Sequence, residues 1–568
     1  MTLLRSLPLL LVAVSACAPP TDEVTAWRIR ADDTVELNEN SGWAAPVNTA
    51  APVTVDRRFR IRFEIHHQEG GVLPYRLEAR RNGDDAQGDG DGWVPVEAMD
   101  HPYPDGIASP ITSIVSTEGY THGERTEDLL AGAPAPFTGG VGVAERVSPP
   151  VGAWPPGSTE WEWALVIRYF SDGAIRLDPG DTFEYRVVAA DGNPLAGPPA
   201  RVTLEVPDFH LGGTFAETPG RIGPFETSNG DLYFIQEPTE TYNVFMMLKS
   251  TDRGRSWAEV DVGNRPPNGD LEAVDAVLVD GSIHMIHQAD STWYYRFDTS
   301  DHAGGPDRWG VRNELVAGEL DPPTQVTALA PRSDGSLVAL YGGDTTIHLR
   351  VRAADGGWGE ERSLDPGSPD TLSGPVAVTG AGDVVHIAYV DHRGNGWLRQ
   401  FLPDGTLTPR VLLATGLGTG DNNRVALLPL VWLPGSGTLS ALYRTADGRL
   451  LERRRAPTGA LSAPVVVTTT PVASGPVDSD QVTADAIAVG DAVHVLFVEE
   501  ATGSLWGVSR PEGGGWGSPT PVLEEIQGQW IRGAFLERGP DGPVYGFVVD
   551  AGSDGGSGYN RYGEVPVR

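Results

Sequence analysis

Three arginines stand at equivalent points of a repeating chain: Arg221 in PGRIGPF, Arg424 in NNRVAL and Arg532 in WIRGAF each open the first strand-like run of their repeat. A guanidinium is a planar fork of N–H donors, and three forks converging on one funnel would suit a carboxylate. Acidic residues form a second constellation. Asp290, Asp344, Asp391, Asp447, Glu499, Glu500 and Asp550 follow one class of strand, and Asp270, Asp321, Asp370, Asp421, Asp478 and Asp480 precede another. In a ring of sheets both loop sets emerge on one face, which would then be strongly acidic. Turn chemistry accounts for aspartates at such positions. The alternative is a site for a cation such as Ca2+, or for a polar glycan bound by carboxylates and aromatics. Arg221, Arg424, Arg532, Asp270, Asp290 and Asp391 are therefore the candidate ligand-binding residues. No HExxH, GxSxG or phosphate-binding glycine loop is present. His284, His386 and His494 share one repeat position, which speaks for packing or hydrogen bonding, and His66 and His67 point to opposite faces of a strand, so they do not chelate together.

The elements that position these residues are short strands. The chain of 568 residues carries 71 Gly and 47 Pro and lacks long amphipathic helical patterns. Beyond Pro207, seven runs share a turn residue, an aliphatic residue and a short β stretch: GDLYFI, GSIHMIH, GSLVALY, DVVHIAY, GTLSALY, DAVHVLF and GPVYGFV. Their anchors are Leu232, Ile283, Leu337, Val385, Leu439, Val493 and Val544, at successive spacings of 51, 54, 48, 54, 54 and 51. A period near fifty with four strand-like runs per period predicts the blades of a β-propeller. The fourth run opens on tryptophan in several repeats, at Trp257, Trp309, Trp358 and Trp516. The last repeat has only three strands, and FHLGGTF (209–215) is placed to supply the missing one from the N-terminal side. Seven blades are expected, with six as the alternative.

Upstream, residues 25–207 read as an immunoglobulin-like or fibronectin-like β-sandwich, with FRIRFEI, YRLEARR, WVPVEA, ITSIV, EWEWALVIRYF, FEYRVVA and ARVTLEV as strands, several of them alternating apolar with polar residues as half-buried strands do, and an irregular insertion from about 100 to 159. Residues 1–16 form a secretory signal, too short for a membrane span. Cys17 in VSAC, the only cysteine, resembles the lipobox of bacterial lipoproteins, which implies a lipidated mature N-terminus followed by a tether over 18–24. A single cysteine excludes an internal disulfide framework. The net charge of −35 weighs against nucleic acid as a partner.

The stretch STDRGRSW (250–257) joins two strands of the first repeat. Its Ser250, Asp252, Gly254 and Trp257 resemble the Asp box, or BNR repeat, of sialidase-like propellers, with eroded copies at RAADGGW (352–358) and SRPEGGGW (509–516). In that family the box is a structural clip: the aspartate accepts N–H groups of its own turn, glycine takes positive φ, and the tryptophan packs between sheets. Sialidases also place an arginine, in an F/Y-R-I-P motif ahead of the box, on the carboxylate of sialic acid. Arg221 matches it, with Gly220 where an aromatic is usual and Gly223 before Pro224. The resemblance further implies an aspartic acid proton donor and a tyrosine nucleophile activated by glutamate. No motif identifies these residues, and Tyr545, Tyr559 and Tyr562 come into question only because they lie in the last repeat. Two functions follow as expectations: an exported, lipid-anchored, monomeric module of the bacterial cell envelope that binds a glycan or surface-protein ligand at its funnel without a cofactor, or an exo-sialidase-type glycoside hydrolase cleaving terminal acidic sugars.

Overall fold

The computed structural model describes residues 22–567 apart from 32–33, 68–74, 82–91, 99–111, 131–135, 145–154, 170–176, 190–191, 214–219, 238–244, 267–272, 305–306, 319–326, 344, 367–371, 418–426, 474–481, 525, 527–529, 539–541 and 555–556. No helix among the described residues is long and apolar enough to cross a membrane.

The N-terminal part contains β1 (Glu23–Ala31), β2 (Ala51–Thr54), β3 (Phe59–His67), β4 (Arg76–Arg81), β5 (Val94–Pro95), β6 (Glu97–Ala98), β7 (Thr112–Ile114), β8 (Gly142–Val143), β9 (Gly157–Ile167), β10 (Thr182–Val188) and β11 (Ala200–Glu205). One sheet runs β1-β3-β9-β7-β6 with β8 beside β9, and the other runs β2-β11-β10-β4-β5. The two pack face to face. Phe59 meets Tyr185 edge-on at 6.1 Å, and Tyr75 meets Trp161 at 5.3 Å.

Two sequence expectations change here. The run WVPVEA reads as one strand, yet it divides at Val96 and serves both sheets, β5 in one and β6 in the other; Pro95 has no N–H with which to continue a ladder. The alternation in FRIRFEI predicts a strand with one solvated face. Ile61, Phe63 and Ile65 do enter the core, but Arg60 and Arg62 are buried as well. Segments around Leu37 and 127–130 cover that face: the Arg60 Nη1 lies 3.2 Å from Glu162, Arg62 pairs with Glu160, and Glu160 accepts the N–H groups of Leu129 and Leu130 at 2.9 and 2.7 Å. Charges at this depth persist because each has an opposite partner, the arginines also donate to the carbonyls of Val35, Leu37 and Glu127, and Glu160 accepts backbone N–H groups.

From Phe225 onward, the described residues form seven antiparallel sheets in succession. Their first strands are Phe225–Glu226, Val274–Val279, Thr327–Pro331, Leu372–Thr379, Val431–Leu433, Ala484–Val489 and Ile531–Leu536, and six of the sheets have four strands. From the second sheet to the seventh, each first strand touches the next, and the seventh touches the first. The Ala276 N–H donating to the Arg221 carbonyl at 2.8 Å joins the first to the second. The arrangement is a closed ring of the propeller type. The seventh sheet has three strands of its own, ending in Ser557–Pro566, and residues 209–211 pair along its outer edge: the Leu211 N–H donates to the Asn560 carbonyl at 2.9 Å and the Tyr562 N–H to the Phe209 carbonyl at 2.8 Å.

Neighbouring sheets are fastened by groups repeated around the ring. Indole N–H groups reach back to carboxylates of an earlier sheet, Trp309 to Asp261 at 2.6 Å, Trp358 to Glu314 at 2.5 Å and Trp516 to Glu452 at 3.0 Å. In the turn at 250–257, the Ser250 Oγ accepts the Gly254 N–H at 2.8 Å, Asp252 accepts the Ser256 N–H at 2.9 Å, and the buried Trp257 donates to the Gly254 carbonyl at 3.0 Å. Gly254 has φ +80°, and a Cβ there would lie 2.1 Å from the Tyr562 ring. The sandwich meets the ring at this same seam: His210 Nε2 and Asp56 Oδ2 are 2.6 Å apart and buried, and the Tyr169 hydroxyl donates to the Trp257 carbonyl at 3.1 Å.

Candidate functional site

All seven sheets contribute to a cavity of about 180 Å3 on the ring axis, lined near the beginnings of the first strands by groups that include Arg221, Asp275, Val376, Leu430, Asp485 and Ala534. Position on the innermost strand explains the convergence, because every first strand faces the axis. Arg221 lies just ahead of the first sheet. Its Nε donates to Asp275 Oδ1 at 3.0 Å and its Nη2 to Asp275 Oδ2 at 2.7 Å, a bidentate pair, and Nη2 also bonds the Leu329 carbonyl. Asp275 further accepts the N–H groups of Arg221 and Leu329, both at 2.6 Å. Burial alone would lower the Arg221 pKa, but the Asp275 carboxylate outweighs it and the net direction is upward.

Across the seam, Asp485 repeats the arrangement. It accepts the Gly533 N–H at 2.6 Å and stands 4.0 Å from the Arg532 guanidinium. Burial lifts the Asp485 carboxyl to about 6, with Arg532 pulling the other way; burial likewise lowers the Arg532 pKa. Tyr545 packs over Gly533, whose Cβ would meet the tyrosine ring at 2.4 Å. The Tyr545 hydroxyl is buried, has no hydrogen-bond partner among the described residues, and is pushed well above the ordinary tyrosine pKa, chiefly by burial and then by the Asp485 charge. Arg221, Asp275 and Asp485 thus form a charged arc of the cavity wall, and Arg532 and Tyr545 of the seventh sheet are buried beside Asp485. Pro375, Val376, Pro429 and Leu430, from the fourth and fifth sheets, form an apolar arc on the other side.

Of the residues singled out from sequence, Arg221 lines this arc and Arg532 adjoins it through Asp485, while Arg424, Asp270 and Cys17 lie outside the described residues, as do Asp321, Asp344, Asp370, Asp421, Asp478 and Asp480. Asp290 is exposed at a hairpin tip. Asp391 caps its own turn, accepting the N–H groups of Arg393 and Asn395 at 2.9 and 3.0 Å and the Trp397 indole N–H at 2.9 Å. Burial would raise its pKa, but these donors hold it below the ordinary aspartate value. Glu499 caps a turn in the same way through Ala501 and Thr502, and Asp447 through Thr445 and Arg449. Tyr562 is at the seam, 5.7 Å from Trp257 and bonded by Arg538, away from the axis. Among the described residues no group of three His, Cys, Asp or Glu side chains is placed to hold a metal ion. His284, His386 and His494 make side-chain contacts with Tyr294, Gln400 and Ser509 respectively.

No protein-family model and no curated protein sequence matches this chain. Solved structures do resemble it. The BP39L lectin of Burkholderia pseudomallei is 12% identical with a TM-score of 0.40, covering 61% of this chain and 94% of the lectin. An ulvan lyase, a polysaccharide lyase, is 11% identical with a TM-score of 0.41, covering 63% and 94%. The lectin of Aleuria aurantia, solved with α-methyl-L-fucoside, is 14% identical with a TM-score of 0.35, covering 56% and 98%.

Asp275 and Asp485 were not among the sequence candidates, although a signal for them exists. Each is the second residue of its first strand and precedes alanine, in VDAV and ADAI, and each accepts an N–H from the next sheet. Gly220, where sialidases carry an aromatic, also has a local reason: a Cβ there would stand 2.0 Å from the Val274 carbonyl oxygen.

Proposed function

We propose that this chain is an exported, lipid-anchored protein of the bacterial cell envelope that binds a glycan or protein ligand in the funnel of a seven-bladed, sialidase-like propeller. The supporting domain reading is a signal over 1–16, the lipidated Cys17 and tether over 17–24, an immunoglobulin-like sandwich over 25–207, and the propeller over 208–568. The parallel pairing of β2 with β11 beside an antiparallel β10-β4 pair favours the immunoglobulin-like reading. The Asp-box reading of 250–257 is favoured by the serine and aspartate capping their own turn.

One observation carries the binding function: the axial cavity presents Arg221 already engaged by Asp275 at both oxygens. A fork used in this way is a fixed polar wall, and a substrate carboxylate would have to displace a buried ion pair to take it. Hydrolysis of sialidase type is the second reading, and the buried Tyr545 hydroxyl, without a hydrogen-bond partner among the described residues and beside Asp485 and Arg532, favours it. A fluorogenic sialoside separates the two. The binding reading expects no turnover by the purified protein; turnover that disappears in Tyr545→Phe and Arg221→Ala would replace it with the enzyme.

A further inference from the structure

Resting on the reading of the axial cavity as a ligand site, we infer that its ligand is an uncharged polyhydroxylated ring, the terminal unit of a neutral glycan, in preference to an acidic sugar. The first ground is the hydrogen-bonding capacity left over. Asp275 is spent, since its two oxygens take four N–H groups, the full complement of a carboxylate. The Arg221 Nη1 amine makes no hydrogen bond among the described residues, and the Arg221 side chain is 33% exposed. Among those same residues Asp485 accepts only the backbone N–H groups of Ala486 at 2.7 Å and Gly533 at 2.6 Å, so it retains acceptor capacity. Among the described residues Arg221 therefore offers the cavity a donor and Asp485 an acceptor, both on its charged arc. A hydroxyl pair accepts from the first and donates to the second. A carboxylate does only the former and meets the Asp485 charge.

Charge balance and shape agree with this. Arg221 with Asp275 and Arg532 with Asp485 leave the arc without net charge, so nothing concentrates an anion there, and the chain as a whole carries −35. Facing the arc are Pro375, Val376, Pro429 and Leu430, an apolar wall suited to the C–H face of a pyranose. At about 180 Å3 the cavity holds about six water molecules' worth of space, the scale of one ring.

The test is equilibrium titration of the purified full-length protein in detergent with two sets of methyl glycosides, neutral hexosides and the glycosides of sialic and glucuronic acids. At least one neutral glycoside should bind, and more tightly than any acidic one. Asp485→Asn should weaken the neutral ligand about tenfold, the loss of one hydrogen bond to a charged group. Ala534→Phe, which fills the cavity and removes no charge, should abolish binding. Preference for an acidic glycoside would overturn the inference while leaving the cavity as a site. Binding unchanged by Ala534→Phe, or no binding of either set, would overturn the cavity as a glycan site and the inference with it.

Discussion

His287 sits in Ser282–Gln288 with 1% of its surface exposed, its ring edge-on to Phe245 at 5.1 Å, and neither ring nitrogen has a hydrogen-bond partner among the described residues. Burial lowers its pKa from 6.5 to about 4. The native state thus holds the neutral ring while the unfolded chain takes up a proton, so stability is complete above about pH 6.5 and declines as pH falls toward 4. At pH 5 the unfolded chain lies 1.5 pH units below its own midpoint, which at ~1.36 kcal/mol per unit makes the contribution about 2 kcal/mol. His287→Leu removes that term. His284, on the same strand and also lowered to about 4, is common to both chains and drops out of the difference. Hydrogen exchange of the amides of Ser282–Gln288 at pH 7.5 and pH 5, converted to opening free energies, reads this sheet without requiring the whole chain to unfold in one step. The wild type should lose about 2 kcal/mol more than the variant on acidification. Equal losses would refute the argument that an unpartnered, neutral imidazole is being held there.

Three further outcomes follow from the contacts described. Gly254→Ala should destabilise the ring by about 1–3 kcal/mol, because it places a Cβ at positive φ against Tyr562, and thermal unfolding followed by tryptophan fluorescence would register it. Asp275→Ala should cost about 3 kcal/mol in denaturant unfolding, the lower part of the range for a broken buried pair because Arg221 is partly open to solvent, and Asp275→Asn should recover part of it. Trp516→Phe keeps the apolar contact but leaves Glu452 without its indole donor, so a loss of about 1 kcal/mol is expected by the same measurement.

The ring is legible in the sequence because its period is a local property repeated seven times, from Leu232 to Val544, and its seam is legible because the last repeat falls one strand short. The turn-capping roles of Asp391 and Asp447 are open to reading for a similar reason, since each acts within a few residues of itself. What the sequence hides are contacts that jump a repeat. Arg221 finds Asp275 54 residues away and Gly533 finds Asp485 48 residues away, distances at which neither gives a hint of its partner. The polar stripe of β3 misleads for a related reason: Arg62 is covered by a carbonyl at Leu37, on an irregular stretch that carries no periodic signal.

The seam joins residues made early in synthesis to residues made late. At the outer edge the Asn560 Nδ2 donates to the Gly212 carbonyl at 2.9 Å, closing a loop of 348 residues. Bringing such ends together costs about 5 kcal/mol of chain entropy by the logarithmic loop rule, and contacts this distant slow folding. Residues 209–211 must therefore wait, with their partner strand absent, until the chain has been made through Tyr562. During that interval the outer edge of the seventh sheet does not yet exist, and the strand that will seal it is held by the sandwich and by the first sheet, whose Arg255 carbonyl accepts the Phe209 N–H at 2.8 Å. A chaperone that shields one short segment near His210 would cover that edge until its partner strand is made.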